Sequence, residues 1–276
     1  MNQVKDYTYL VLIILGLVLV IIFSLIWQPF IYYSLFGFMG SNIKEPFEDK
    51  QQIKIPKVIH QIWLESNDIP PEQQSRMDTW KKDYIKEHHE YIYILWTKSK
   101  IEKLDWSHTL KKMYDLEKDI RGKSDIFKLL ILHQMGGIVI DPNTVWVNKS
   151  NLDDLIEKAY QQNNNMFLGR EPNQNWVGNS VIGSVKKHRA LAFLLNKLEE
   201  ISDGYSEIRQ KTPSWMVTGP VFVNRAVMNN YPITIFPEFT FTPMNKNRNS
   251  LTTYKPQEYM ILEDLPKLSY MYNYDL

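Results

Sequence analysis

The 276-residue chain contains no cysteine, so its fold does not rely on disulfides. It has no surplus of charge of either sign: 32 Lys and Arg stand against 31 Asp and Glu. That balance removes the electrostatic reason to expect a nucleic-acid partner. A P-loop and a G-x-G-x-x-G fingerprint are both missing, as is any visible Ser/His/Asp arrangement for nucleophilic catalysis. What remains, 44% hydrophobic and 23% charged residues, suits one globular domain with an additional segment.

The additional segment is marked by another absence. No charged residue occurs from Tyr7 to Ile43, and Leu10 to Trp27 is almost wholly aliphatic. That run is long enough to cross a bilayer core of ~30 Å. Tyr7, Tyr9, Trp27, Tyr32 and Tyr33 flank it as interfacial aromatics do. A cleaved signal peptide would have a shorter apolar core and a small-residue cleavage site. Residues 1–38 are therefore expected to form an uncleaved transmembrane anchor with its interfacial flank. Residues 39–54, polar and carrying Pro46, form a stem, and residues 55–276 the folded domain. Lys5 with the amino terminus weakly favours a cytoplasmic start, a type II arrangement.

The folded domain is organised around the stretch from Arg121 to Asn143. Ile126, Phe127, Leu129, Leu130, Ile131, Leu132 and Met135 make a broad apolar helical face. Gly136 and Gly137 end that helix, since a C-cap needs a positive φ. Ile138-Val139-Ile140 reads as a strand buried on both faces, and Asp141-Pro142-Asn143 lies at its carboxyl end. Ligands of open α/β sheets sit at such ends. An acid followed two residues later by an amide oxygen suits a hard divalent cation that holds a diphosphate.

Around this centre, Val58 to Trp63 and Tyr91 to Trp96 read as strands, and Glu72 to Lys86 as a helix. Met166 to Gly169 reads as a further strand. Ala190 to Ile201 is an amphipathic helix, and Thr218 is expected to cap a helix whose first turn holds Pro220. The alternation of strands and helices, with few hairpin signals, predicts a parallel-rich α/β sheet. Asp153-Asp154 sits in the first turn of a helix begun by Asn151, which is a capping pattern rather than a metal pair. His60, in mid-strand, is expected to be a hydrogen-bonded structural residue.

Two stretches carry a resemblance. Lys123-Ser124-Asp125, Leu132, Gly136-Gly137-Ile138 and Asp141, with Asp141 sixteen residues after Asp125, resemble the sugar-binding region containing the DXD motif of glycosyltransferase family 32. Ile55-Pro56-Lys57-Val58-Ile59-His60-Gln61-Ile62-Trp63 is similar to that family's opening motif. There are departures. Lys128 stands where the family has Arg, Val139 where it has Tyr, and Asn143 where it has the second Asp of D-x-D. Relatives also carry a His followed by Ser-Trp near the C-terminus, whereas no histidine follows His188 here.

The resemblance implies a GT-A fold, a Rossmann-like mixed sheet flanked by helices. It implies transfer of a hexose, with retention, from GDP-mannose or a UDP-sugar to a glycan, glycoprotein or glycolipid acceptor, in a Golgi- or ER-like membrane. Asp141 and Asn143 would hold a divalent metal, manganese first and magnesium as the alternative. Asp125, Asp141 and Lys128 would form the catalytic set, and Trp63, Gly136, Gly137 and Asn179 would bind the donor, with Trp63 against the base. The rival expectation is a membrane-anchored relative that binds sugar or nucleotide with little or no turnover, because Asn143 is a weaker ligand than Asp.

Overall fold

The computed structural model describes residues 54–66, 68–147, 150–171, 176–241 and 271–273. All of them belong to one compact unit, Gln51–Leu276. The expected anchor lies outside the described residues, as does the stem apart from Lys54. Among the described residues no helix is long and apolar enough to cross a membrane.

Strand β1 (Val58–Ile62) leads to helix α1 (Pro71–Asp78), which runs through a π-helical turn (Thr79–Tyr84) into Ile85–Glu87. Strand β2 (Ile92–Trp96), the short helix α2 (Lys98–Ile101) and helix α3 (His108–Leu116) follow. Helix α4 (Ile120–Met135) and strand β3 (Gly137–Ile140) then form the organising unit. Next come β4 (Thr144–Trp146), α5 (Asp153–Gln161), β5 (Met166–Arg170), β6 (Val177–Ser184) and α6 (Arg189–Glu200). The chain continues with α7 (Tyr205–Lys211), α8 (Ser214–Val217), α9 (Pro220–Met228), β7 (Thr234–Phe236), α10 (Glu238–Phe241) and β8 (Met271–Asn273).

Six strands form one sheet in the order β2-β1-β3-β6-β5-β7, and β4 pairs with β8 in a second, two-stranded sheet. β2, β1 and β3 run parallel, but β6 is antiparallel to both β3 and β5. The sheet is thus mixed, flanked by helices, and less parallel than the strand–helix alternation suggests.

Its centre is apolar on both faces because successive side chains alternate. Ile138 and Ile140 join Ile59, Phe167 and Val181 beneath Trp80, Tyr84 and Leu155 on one face. Val139 joins Ile62, Leu168 and Ile182 beneath Phe127, Ile131 and Leu194 on the other.

Helix α4 has matched ends. The Asp119 side chain accepts from Arg121 N at 3.0 Å at its start. Gly136, at φ 69°, closes it. The second glycine, Gly137, at φ 105°, lets β3 approach its neighbour, since a Cβ there would sit 2.6 Å from the Val58 carbonyl oxygen. Asp153 and Asp154 stand in the first turn of α5 as expected; Leu152 rather than Asn151 is its N-cap, and Asn151 Oδ1 accepts from Asp153 N at 2.9 Å. The Asp153 carboxylate is taken by Lys57 at 2.6 Å and by the Tyr91 hydroxyl at 2.7 Å.

Candidate active site

A cleft of about 370 Å³ opens where β1 and β3 end. It is walled by Ile62 to Glu65 after β1, by Asp141 to Asn143 after β3, by the first turns of α4, and by Pro213 to Trp215 around α8. Asn179 reaches it from β6, next to Asp141, because Asp141 N donates to the Ser180 carbonyl at 2.8 Å.

Helix spacing brings the charged groups together. Asp125 and Lys128 lie one turn apart on α4, where residues three apart are neighbours. Both are buried, at 8% and 4% exposure. The Lys128 Nζ lies 2.6 Å from Asp141 Oδ1 and 3.4 Å from Asp125 Oδ1, and it donates to the Asn179 carbonyl at 3.2 Å. One ammonium therefore bridges two carboxylates. Asp125 is further held by Asn179 Nδ2, which donates to its Oδ1 at 2.8 Å, and by the Thr218 hydroxyl at 3.5 Å.

Burial pushes the Asp125 carboxyl up to about 6; Lys128 opposes that rise and Asp141 adds to it. For Lys128, burial works to lower the pKa, but Asp141 and then Asp125 outweigh it and hold the group above its usual value. The ammonium lies closer to Asp141 than to Asp125.

The Asp141–Thr144 turn is pinned through its backbone. Gln61 Nε2 donates to the Asp141 carbonyl at 3.3 Å, the Gln73 side chain donates to the Pro142 carbonyl, and Trp80 Nε1 donates to the Thr144 carbonyl at 2.8 Å. Tyr93 in turn holds Gln61 at 2.8 Å.

The structure gathers Asp125, Lys128, Asp141, Asn143, Asn179 and Trp63 around the cleft. Trp63 is only 6% exposed, so little of its ring face is open, and its buried indole N–H has no partner among the described residues. Gly136 and Gly137 are not brought there. They sit at the start of β3, at the far end from Asp141, where Cβ atoms would meet Lys186 N, Pro56 and Val58 O. Close packing accounts for both glycines there.

Thr218 is not the N-cap of α9 either. Gly219 is, and the Thr218 hydroxyl turns inward to the Ser214 carbonyl at 3.1 Å and to Asp125. His60 is structural as expected. Its Nε2 is 2.9 Å from the Gly136 carbonyl, Trp96 Nε1 donates to its Nδ1 at 3.1 Å, and burial lowers its pKa to about 4.

The α8 wall escaped sequence reasoning. Pro213, Ser214 and Trp215 line the cleft, and Gly219 lets them approach: a Cβ there would meet Trp215 Cα at 2.7 Å and Asp125 Oδ2 at 3.1 Å. The Thr218-Gly219-Pro220 string was the available signal.

Residues 74–162, which include Asp125, Lys128, Asp141 and Asn143, match the family model described as the glycosyltransferase sugar-binding region containing DXD motif. The matched stretch is 89 of the 276 residues, and over it the chain resembles the glycosyltransferases of family 32. Among curated proteins, inositol phosphoceramide mannosyltransferase 1 of Schizosaccharomyces pombe is 24% identical, over 74% of this chain and 65% of the relative. The chain thus spans just under two thirds of that relative's length. Among solved structures, the PaToxG glycosyltransferase is similar at 17% identity and a TM-score of 0.46, over 65% of this chain and 71% of that one. A glycosyltransferase involved in glycosylation of the major capsid of PBCV-1 is similar at 12% identity and a TM-score of 0.41, over 79% and 94%.

The family's DXD motif implies dependence on a divalent metal. Among the described residues no three His, Cys, Asp or Glu side chains are grouped to cage one. The Asp141 carboxylate and the Asn143 amide oxygen in the GT32-like region are nevertheless hard donors at the cleft. Magnesium-like ions are held by one or two such groups with substrate phosphates completing the shell. The residues present fit a metal shared with a diphosphate.

Proposed function

We propose that this chain is a membrane-anchored, retaining glycosyltransferase of the GT-A type that moves a hexose from a nucleotide-diphosphate sugar to a glycan, glycoprotein or glycolipid acceptor. The observation that carries the reading is the Asp125–Lys128–Asp141 trio, set at the strand ends within the GT32-like region. The name of the yeast relative makes mannose the first hexose to test and an inositol-containing sphingolipid the first acceptor class.

Cleavage of the bond between the anomeric carbon and the diphosphate leaves negative charge on the leaving group. A divalent ion, manganese or magnesium, would supply Lewis-acid stabilisation of that charge when bound. Asp141 and Asn143 would hold it. Lys128 fixes the Asp141 carboxylate and offsets its charge, so the diphosphate does not face two bare anions. Asp125, oriented by Asn179 and Thr218, presents its free lone pairs to the sugar hydroxyls. Trp63 lies at the base end, offering a ring edge and its unpaired N–H.

The test uses the full chain in a sugar-free detergent with a panel of UDP- and GDP-sugars. Release of the nucleoside diphosphate is measured with manganese and with chelator, beside Asp141→Ala. Metal-dependent turnover that disappears in the variant supports the reading; no turnover with any donor overturns it. Asn143 favours one other reading, a sugar- or nucleotide-binding relative with little turnover. Under that reading the chain binds nucleotide without cleaving the donor, and Asn143→Asp restores metal-dependent cleavage.

A further inference from the structure

We propose that Trp215 and Trp176 form the acceptor subsite, a stacking platform for the apolar face of a pyranose ring. The assignment rests on the glycosyltransferase reading above and adds to it the residues that meet the second substrate.

Trp215 lines the same cleft as Asp125, Lys128 and Asp141. At 47% exposure it is the one aromatic among the exposed large hydrophobic side chains of the described residues. Trp176 stacks against it, with ring centroids 6.3 Å apart and planes 26° from parallel. The offset leaves indole surface of Trp215 open. The sheet's two apolar clusters contain neither ring, so core packing does not account for their position.

The platform is built rather than incidental. Thr218 N and Gly219 N both donate to the Ser214 carbonyl, at 2.8 and 3.2 Å, which closes the α8 turn. The Ser214 hydroxyl is tied to Asp119 at the start of α4. Only glycine fits at 219, where the Trp215 backbone and the Asp125 carboxylate both come within contact distance of a would-be Cβ. The Trp215 backbone is thereby held close to the buried acid.

The chemistry selects the ligand. The negative π-face of an indole attracts the polarised C–H bonds on one face of a sugar ring, while the ring's hydroxyls stay at its edge in water. A flat open indole beside a buried acid and a half-open carboxylate suits a neutral glycoside. The donor's diphosphate belongs at Asp141 and Asn143, so the sugar at the rim is the acceptor's.

The probes are the methyl pyranosides of mannose, glucose and galactose, studied by saturation-transfer NMR on the full chain in a sugar-free detergent with UDP or GDP present. Calorimetry measures nucleotide binding separately. Saturation is expected on the ring C–H protons of at least one glycoside. Trp215→Ala should weaken its binding about tenfold or more, the scale of losing one aromatic stacking partner. Trp215→Phe should keep most of it, and Trp176→Ala should give a smaller loss; circular dichroism checks that each variant is folded. Equal glycoside binding in wild type and Trp215→Ala overturns the subsite. So does saturation of the nucleotide's own sugar with none of the glycoside, which assigns the platform to the donor. Nucleotide binding without any glycoside binding overturns the subsite and leaves the glycosyltransferase reading standing. Glycoside binding through Trp215 without nucleotide binding upholds the subsite and overturns that reading, and binding of neither overturns both.

Discussion

Replacing Lys128 by methionine removes one charge from the middle of the site at nearly constant volume. The ammonium sits 2.6 Å from Asp141 and 3.4 Å from Asp125 and is 4% exposed. Removing one partner of a buried ion pair costs about 3–5 kcal/mol, because the charge left behind is uncompensated. The Asp141 side chain is 25% exposed, and water there offsets part of its loss. The lower end, about 3 kcal/mol at pH 7, is therefore expected. For a domain of this size that corresponds to a fall in Tm of roughly 6–12 °C.

The loss must depend on pH, with a definite sign. Asp125 already has its pKa raised to about 6 with Lys128 present, and the ammonium holds it down. Without the ammonium the folded-state pKa rises further. A carboxyl with a raised folded pKa favours the folded state below its unfolded value and loses that contribution as pH rises through the folded value. The variant's deficit should then be largest near pH 8 and shrink to about half by pH 5, where Asp125 carries its proton. Urea denaturation followed by circular dichroism between pH 5 and 8 measures this. Adding Asp125→Asn to Lys128→Met should recover part of the deficit at pH 8. A deficit below about 1 kcal/mol that stays flat with pH would refute the buried bridge, since that is the scale of an exposed pair.

Two further outcomes are expected. Gly137→Ala places a Cβ 2.6 Å from the Val58 carbonyl and 2.8 Å from His60 Nε2, at φ 105°. It should cost about 3 kcal/mol or more, read as lost soluble yield and a lowered thermal midpoint, and a wild-type midpoint would show that β1 and β3 do not approach this closely. Glu117→Gln weakens the paired hold on Arg209, at 2.6 Å to Nε and 3.1 Å to Nη2, along with the Tyr205 contact. It should cost about 3 kcal/mol in chemical denaturation, and a loss within about 0.5 kcal/mol would show that this buried acid is not a structural anchor.

Local signals read well from the sequence, and pairings between distant segments did not. The α4 face, its glycine stop and the buried run of β3 are written within two dozen consecutive residues, and the structure shows them as read except for Met135, which ends the helix exposed. The placement of Asp141 at a strand end follows from the same run. The direction of β6 was not legible, because the pattern from Val177 to Ser184 is the same whether the strand pairs parallel or antiparallel. The glycine pair was ambiguous, because positive φ, close packing and ligand approach all leave the same letters. Lys128 was legible as a charge near the sugar but not as a bridge, since its tighter partner lies thirteen residues on, across the helix stop. The Glu117–Arg209 clamp joins residues far apart in the chain, and no local period marks it.

The pinning of the Asp141–Thr144 turn has a consequence for how this site can change over time. Its path is set by main-chain carbonyls held by Gln61 on β1, Gln73 on α1 and Trp80 in the π-helical turn that follows α1. Those three bonds end on carbonyl oxygens, so they do not depend on which side chain stands at 143. On the function proposed above, exchanging the Asn143 amide for a carboxylate would change the charge offered to a metal while these three bonds persist. Position 143 would then be a tuning point in a firmly held mount.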